Sequence, residues 1–295
     1  MLLTRRALFH ALPAAGLALA RSAAADALRA DLAEAGVEVR DLREAGRRFT
    51  LVKPRHLPAD RPAPLALLLH GLGETGNERA GAFAWIELYG LLSSYARLRR
   101  PPFAATQARG YLTSDRAREL TAELAASPFA GLVLACPHMP NVSGDRAATA
   151  RYAHWLVHSL VPRARLEAKV HPGDERVGLA GCSLGGAVAL DVLLLHPTRF
   201  GAVSGVHTAI GEASAPAYAA KLAAVPGLAV GPRARVQLVS SLGDPYLRPT
   251  RALARELAKR GVRHELRVAP GPHDQPWLRE IGTLEALRFL DGALA

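Results

Sequence analysis

Lysine, cysteine and long apolar runs are scarce in this chain, and each scarcity removes a class of explanation. Of the 37 basic residues only Lys53, Lys169, Lys221 and Lys259 are lysine, so arginine carries the net charge of +11. Setting aside Arg5, Arg6 and Arg21 leaves +8, dispersed and often beside acids, as in Arg255/Glu256 and Arg279/Glu280. A nucleic-acid partner calls for a clustered basic stripe with aromatic neighbours, and none is present. The apolar run from Ala11 to Ala20 is shorter than the roughly 20 residues that a membrane span requires, and no later segment is long and apolar enough to cross a membrane. No H-E-x-x-H, C-x-x-C or tight carboxylate cluster occurs, and no G-K-[ST] of a phosphate-binding loop, so neither a metal nor a nucleotide or other cofactor is expected.

What is present begins with a targeting pattern. Thr4-Arg5-Arg6-Ala7-Leu8-Phe9-His10 resembles a twin-arginine export motif, followed by an apolar stretch and by Ala23-Ala24-Ala25, a small-residue cleavage site. An ordinary secretory signal or a short anchor is the plainer alternative. Residues 1–25 are expected to be removed, leaving Asp26 to Ala295 as one periplasmic or secreted domain.

Strand-like and helix-like runs alternate along that domain, which predicts an α/β architecture with a mostly parallel sheet and helices on both faces. Val37 to Leu42 and Arg47 to Lys53 form an opening hairpin. Further strands are expected over Leu65–Leu69, Gly131–Cys136, Val177–Ala180, Gly201–Val206, Arg235–Ser240 and His264–Ala269. Helices are expected over Arg146–Leu166, Leu184–His196, Arg248–Arg260 and Pro276–Asp291, and Ala213 to Pro232 reads as loop. Between the third and fourth strands lies a helical insertion, residues 74–130, too long for one connection. It holds seven of the 16 aromatic residues, among them Trp85 and Tyr89. Two readings stay open for it: extra helices with their own small core, or a cap whose aromatics line a substrate pocket. Cys136 and Cys182 fall on strands expected two places apart, near 10 Å, beyond the roughly 7 Å that a disulfide spans. Two free thiols are expected.

The most informative segment is Arg176 to Leu190, RVGLAGCSLGGAVAL. A strand runs into Gly181-Cys182-Ser183-Leu184-Gly185 and a helix leaves it, the pattern of a nucleophile elbow. Glycines two before and two after the serine are required because side chains there would collide across so sharp a turn. A serine needs a base and a third group to orient that base. Asp244, in Ser240-Ser241-Leu242-Gly243-Asp244-Pro245, and His273, in Pro270-Gly271-Pro272-His273-Asp274, each follow a later strand in the order acid then histidine. His207 precedes the acid, His264 begins a strand, Asp274 adjoins the histidine and Asp191 sits in the elbow helix, so all four fit less well. The backbone N–H of Leu184 and that of Leu72, with Gly71 as fallback, are candidate oxyanion donors. His70 is expected to order the loop His70-Gly71-Leu72-Gly73. His70, Gly71, His138, His207, Trp85, Tyr89 and Trp277 are candidates for a substrate pocket, with plain loop or core roles as the alternative.

These motifs together resemble the esterase D-like branch of the α/β-hydrolases, which includes feruloyl, acetylxylan and enterochelin-type esterases and mycolyltransferases. The likeness runs from His70-Gly71 through Gly181-Cys182-Ser183-Leu184-Gly185-Gly186 to Gly271-Pro272-His273-Asp274-Gln275-Pro276-Trp277, although Trp277 lies closer to the histidine than is usual there. It implies the α/β-hydrolase fold, a Ser183-His273-Asp244 triad and a serine esterase acting on a small-molecule or glycan-linked ester. A thioesterase, acyltransferase or peptidase with this triad, and a carbohydrate- or peptide-binding protein on the same fold, are the alternatives.

Overall fold

Apolar runs without polar interruption must be buried on both faces, and those of this chain form the centre of an eight-stranded sheet. The computed structural model describes residues 26–58, 60–104, 109–228 and 234–295; the export segment expected over 1–25 lies outside them. The strands are β1 (Val37–Glu44), β2 (Arg47–Pro54), β3 (Leu65–Leu69), β4 (Val133–Pro137), β5 (Val177–Cys182), β6 (Ala202–Val206), β7 (Val236–Gly243) and β8 (His264–Pro272). Their spatial order is β1-β2-β4-β3-β5-β6-β7-β8, antiparallel only where β2 meets β1 and β4. The hairpin turns on Ala45 and Gly46, both at positive φ (47° and 78°), which matches the twist of the flanking strands.

Alternate residues of the central strands face two separate cores. Leu65, Leu67 and Leu69 pack with α5 (Arg146–Trp155), α6 (Val161–Glu167), α7 (Leu184–Leu195), α8 (Ala215–Ala223) and α9 (Leu247–Lys259). Ala66 and Leu68 face α1 (residues 26–35), α2 (Glu78–Glu87), α3 (Leu91–Arg99), α4 (Ser114–Ala126), the single turn α10 (Gln275–Trp277) and α11 (Thr283–Leu294). The insertion over 74–130 thus supplies α2, α3 and α4 to a covering layer shared with α11. Trp85 and Tyr95 are buried in that layer.

Two helix expectations change. A π-turn at Leu156–Leu160 divides the helix read over 146–166, and another at Leu278–Gly282 divides the last one. Part of the loop read over 213–232 is helix α8, which starts with Pro216 in its first turn, where the missing N–H costs nothing.

The chain turns outward in both directions from the middle of the sheet: β3 is flanked by β4 and β5, and β5 continues to β6. Ligands of open α/β sheets bind at the carboxyl ends of strands where the order reverses in this way. The register pairs Leu69 with Gly181 and so brings the loop after β3 beside the turn after β5. Cys136 and Cys182 lie two strands apart, free and buried. Burial pushes the Cys136 thiol up to about 12, the Thr50 contact opposing it, and likewise raises that of Cys182. Dithiobis(nitrobenzoate) should therefore titrate neither thiol in the native protein and both in guanidinium; rapid native reaction at either would contradict this packing.

Candidate active site

The β5–α7 turn is compressed by backbone on both sides. A Cβ at Gly181 would lie 2.0 Å from the Gly185 carbonyl oxygen, and one at Gly185 would lie 2.4 Å from that of Leu69. Between them Ser183 adopts φ 56°, ψ −116°, outside the regions open to L-residues at low cost. Its N–H donates to Val206 O (2.9 Å), and its carbonyl accepts from Gly186, Ala187 and Ala209. The conformation is thereby held from three directions. Leu184 opens α7, and its N–H has no acceptor among the described residues. The helix N-terminus and this free donor favour negative charge beside Ser183.

Asp244 and His273 meet at the ends of β7 and β8, the last two strands at one edge of the sheet. A register shift between Ser241 and Gly243 turns the end of β7, leaving Leu242 exposed and Asp244 buried. Asp244 Oδ1 lies 2.8 Å from His273 Nδ1 and accepts from the Tyr246 N–H, while Oδ2 accepts from Ser240 Oγ at 2.6 Å. Burial pushes its carboxyl up, but the hydrogen bonds from His273, Ser240 and Tyr246, with the field of His207, outweigh that and hold it below the usual carboxylate range. Asp274 instead caps the short turn after it, accepting from the Trp277 N–H, and Asp191 accepts from Tyr218 Oη. The Ser183 hydroxyl makes no hydrogen bond among the described residues. Catalytic hydrogen bonds often tighten only once substrate is bound.

The loop after β3 is fastened by side chains read from sequence as pocket walls. The Gly71 N–H donates to Tyr89 Oη (3.2 Å), which donates to Glu74 Oε2 (2.6 Å). Gly71 is thus engaged, whereas the N–H of Leu72, first in the turn Leu72–Glu74, has no acceptor among the described residues. His70 is fully buried: Met139 N–H donates to Nε2 (2.8 Å), so Nδ1 carries the proton and donates to Gly71 O (2.8 Å). Burial lowers its pKa to about 4. His138 stacks on it at 5.7 Å and sits with Nε2 3.1 Å from Thr75 O; only a glycine at 81 leaves room for the pair.

The pocket reading therefore needs correction. Trp85, Tyr89, Trp277, His70 and His207 are all buried, and of the pocket candidates only His138 is partly open. Aromatic rings offered to a pocket by sequence were more stably used to fill the core and tie down loops. Two clefts of 670 and 280 Å³ between α4, β8 and α11 are lined by groups such as Arg116, Arg267 and Glu285, and by none of Ser183, Asp244 or His273. His207, Asp244 and His273 offer ligand atoms within 4.8 Å of one another. Hydrogen bonds within the protein already engage both Asp244 oxygens, His273 Nδ1 and His207 Nε2. Ser240 and Ser241 were the contributors missed from sequence; a hydroxyl pair at the end of the acid's strand was the available signal.

Residues 141–280 match the family model described as "Putative esterase". No curated protein matches the chain by sequence. Among solved structures, a ferulic acid esterase is 17% identical with TM-score 0.62, over 87% of this chain and 97% of that one. A feruloyl esterase module from Clostridium thermocellum, complexed with sinapinate, is 13% identical with TM-score 0.57, over 86% and 87%. The S-formylglutathione hydrolase of Staphylococcus aureus is 12% identical with TM-score 0.55, over 86% and 96%. Their likeness establishes the α/β-hydrolase fold.

Two buried histidines make stability depend on pH. Burial lowers His70 to about 4 and His207 to about 3, both from an ordinary 6.5. Below about 6.5 the unfolded chain takes up protons that the folded chain refuses, so their contribution is complete above that pH and is lost on descent toward the folded values. The melting temperature should fall steadily from pH 7 to pH 4, and less steeply in His70→Gln. A flat profile over that range would contradict the buried, neutral state.

Proposed function

We propose that the chain is a carboxylic ester hydrolase of the α/β-hydrolase esterase group, working through Ser183, His273 and Asp244 by way of an acyl-enzyme. The observations that carry this reading are the 2.8 Å pair of His273 Nδ1 and Asp244 Oδ1 and the strained Ser183 at the start of α7. With Nδ1–H held by the carboxylate, Nε2 is left as the base for the Ser183 proton. Ser183 Oγ attacks the ester carbonyl, and the negative charge forms beside the free N–H groups of Leu184 and Leu72. His273 then returns the proton to the departing alcohol, and water repeats the sequence to release the acid.

Leu72, in the turn after β3, is 53% exposed, and Leu242, near the end of β7, is 60% exposed. Exposed leucines at these two strand ends suit an ester with an apolar or aryl acyl group, in a small molecule or linked to a glycan. The structural likeness to ferulic acid and feruloyl esterases supports the aryl choice. The Arg5-Arg6 pair and the small residues before Asp26 support export to the periplasm or beyond by the twin-arginine route.

A fluorophosphonate probe should label the wild type and not folded Ser183→Ala. Turnover of aryl esters should fall by roughly 10⁴ in Ser183→Ala and His273→Ala, and comparably in Asp244→Asn. Undiminished labelling of folded Ser183→Ala would refute the serine assignment.

A further inference from the structure

His207 combines features that do not coexist by accident of packing. It is fully buried, yet holds a backbone φ of 50°, a value that non-glycine residues seldom adopt. Its ring lies between two others: Trp277 at 4.1 Å and 28° on one contact, His273 at 4.5 Å and 19° on the other. The ring is also tethered. Ser241 Oγ donates to Pro272 O (3.0 Å), so it must accept at its other contact, and His207 Nε2–H donates to it at 3.0 Å. That chain ends on the carbonyl immediately before His273.

The backbone around His207 reaches the remaining members of the site. Val206 O accepts from the Ser183 N–H, Ala209 N–H donates to the Ser183 carbonyl, and His207 N–H donates to Val239 O in the strand that carries Asp244. The segment 206–209 thus touches the nucleophile's backbone, the acid's strand and the base's ring. Trp277 is itself fixed by Nε1–H donation to Pro270 O and N–H donation to Asp274.

Resting on the triad reading above, we propose that His207 is a positioning residue, whose ring, backed by Trp277, fixes the plane and rotation of the His273 imidazole. An imidazole bonded only through Nδ1 to Asp244 can still pivot about that bond. A parallel ring at stacking distance removes the pivot and keeps Nε2 directed toward Ser183. The ring is neutral, so it does so without placing a second positive charge beside the imidazolium that forms during the reaction. Its burial also keeps water from the flank of the Asp244–His273 pair.

The test separates ring from hydrogen bond. Asparagine tolerates positive φ and removes the ring; phenylalanine keeps a stackable ring and removes the donor to Ser241. For an aryl ester, His207→Asn should lower kcat 10- to 100-fold with KM changed less than threefold. His207→Phe should recover kcat to within about fivefold of wild type. Circular dichroism and melting establish that each variant is folded. Should His207→Asn not fold, His207→Phe decides alone: a loss beyond 10-fold in the folded protein overturns the stacking role. Wild-type kcat in folded His207→Asn overturns it equally. Fluorophosphonate labelling of Ser183 in parallel keeps the outcomes apart, since loss of His207 function leaves the serine slowly labelled, whereas a wrong triad leaves the wild type unlabelled.

Discussion

The arrangement depends on how closely backbone packs against backbone at the turn after β5. A Cβ at Gly185 would fall 2.4 Å from Leu69 O, so β3, β5 and α7 meet with no room for a side chain there. That contact forces Ser183 into its unusual conformation and aims the first N–H of α7 outward. It also places the loop after β3 beside the serine. Strain of this kind costs on the order of 1–3 kcal/mol per residue and persists only when the surroundings over-determine it. Here they do, through hydrogen bonds from β6 and the segment after it to both the N–H and the carbonyl of Ser183.

From that point outward the site is built by buried polar chains. One runs from Met139 through His70 to Gly71, and another from Gly71 through Tyr89 to Glu74, so the loop after β3 is tied at each end. A third joins Ser240, Asp244 and His273, and a fourth joins His207, Ser241 and Pro272. Buried polar groups stabilise only when each has its partner, and these chains satisfy most of their members within a few residues of the strand ends. Side chains at these strand ends are therefore held by the fold, while Leu72 and Leu242 stay exposed beside them.

Much of this was legible in the sequence because it is written locally. The glycine spacing around Ser183, the strand runs and the order of Asp244 and His273 are short-range signals, and β3 falls at Leu65–Leu69 as read. Side-chain destinations were less legible. Trp85 and Tyr89 read equally as pocket or core, and burial decided for core because α2 and α3 cover a sheet face shared with α11. The helix at Ala215–Ala223 was hidden by its proline, although the first turn accommodates one. His207 seemed a substrate contact because it follows a strand; only the fold brings Trp277 and His273 to its two sides.

The central claim is that Ser183 carries the acyl group during turnover. Rapid quench of the enzyme with an aryl acetate, followed by intact-mass and peptide-mass measurement, tests it most directly. The account predicts one acetyl group per chain in the pre-steady state, located on the Ser183 peptide and absent from Ser183→Ala. An acetyl group on another residue, or wild-type turnover by Ser183→Ala without any adduct, would contradict it.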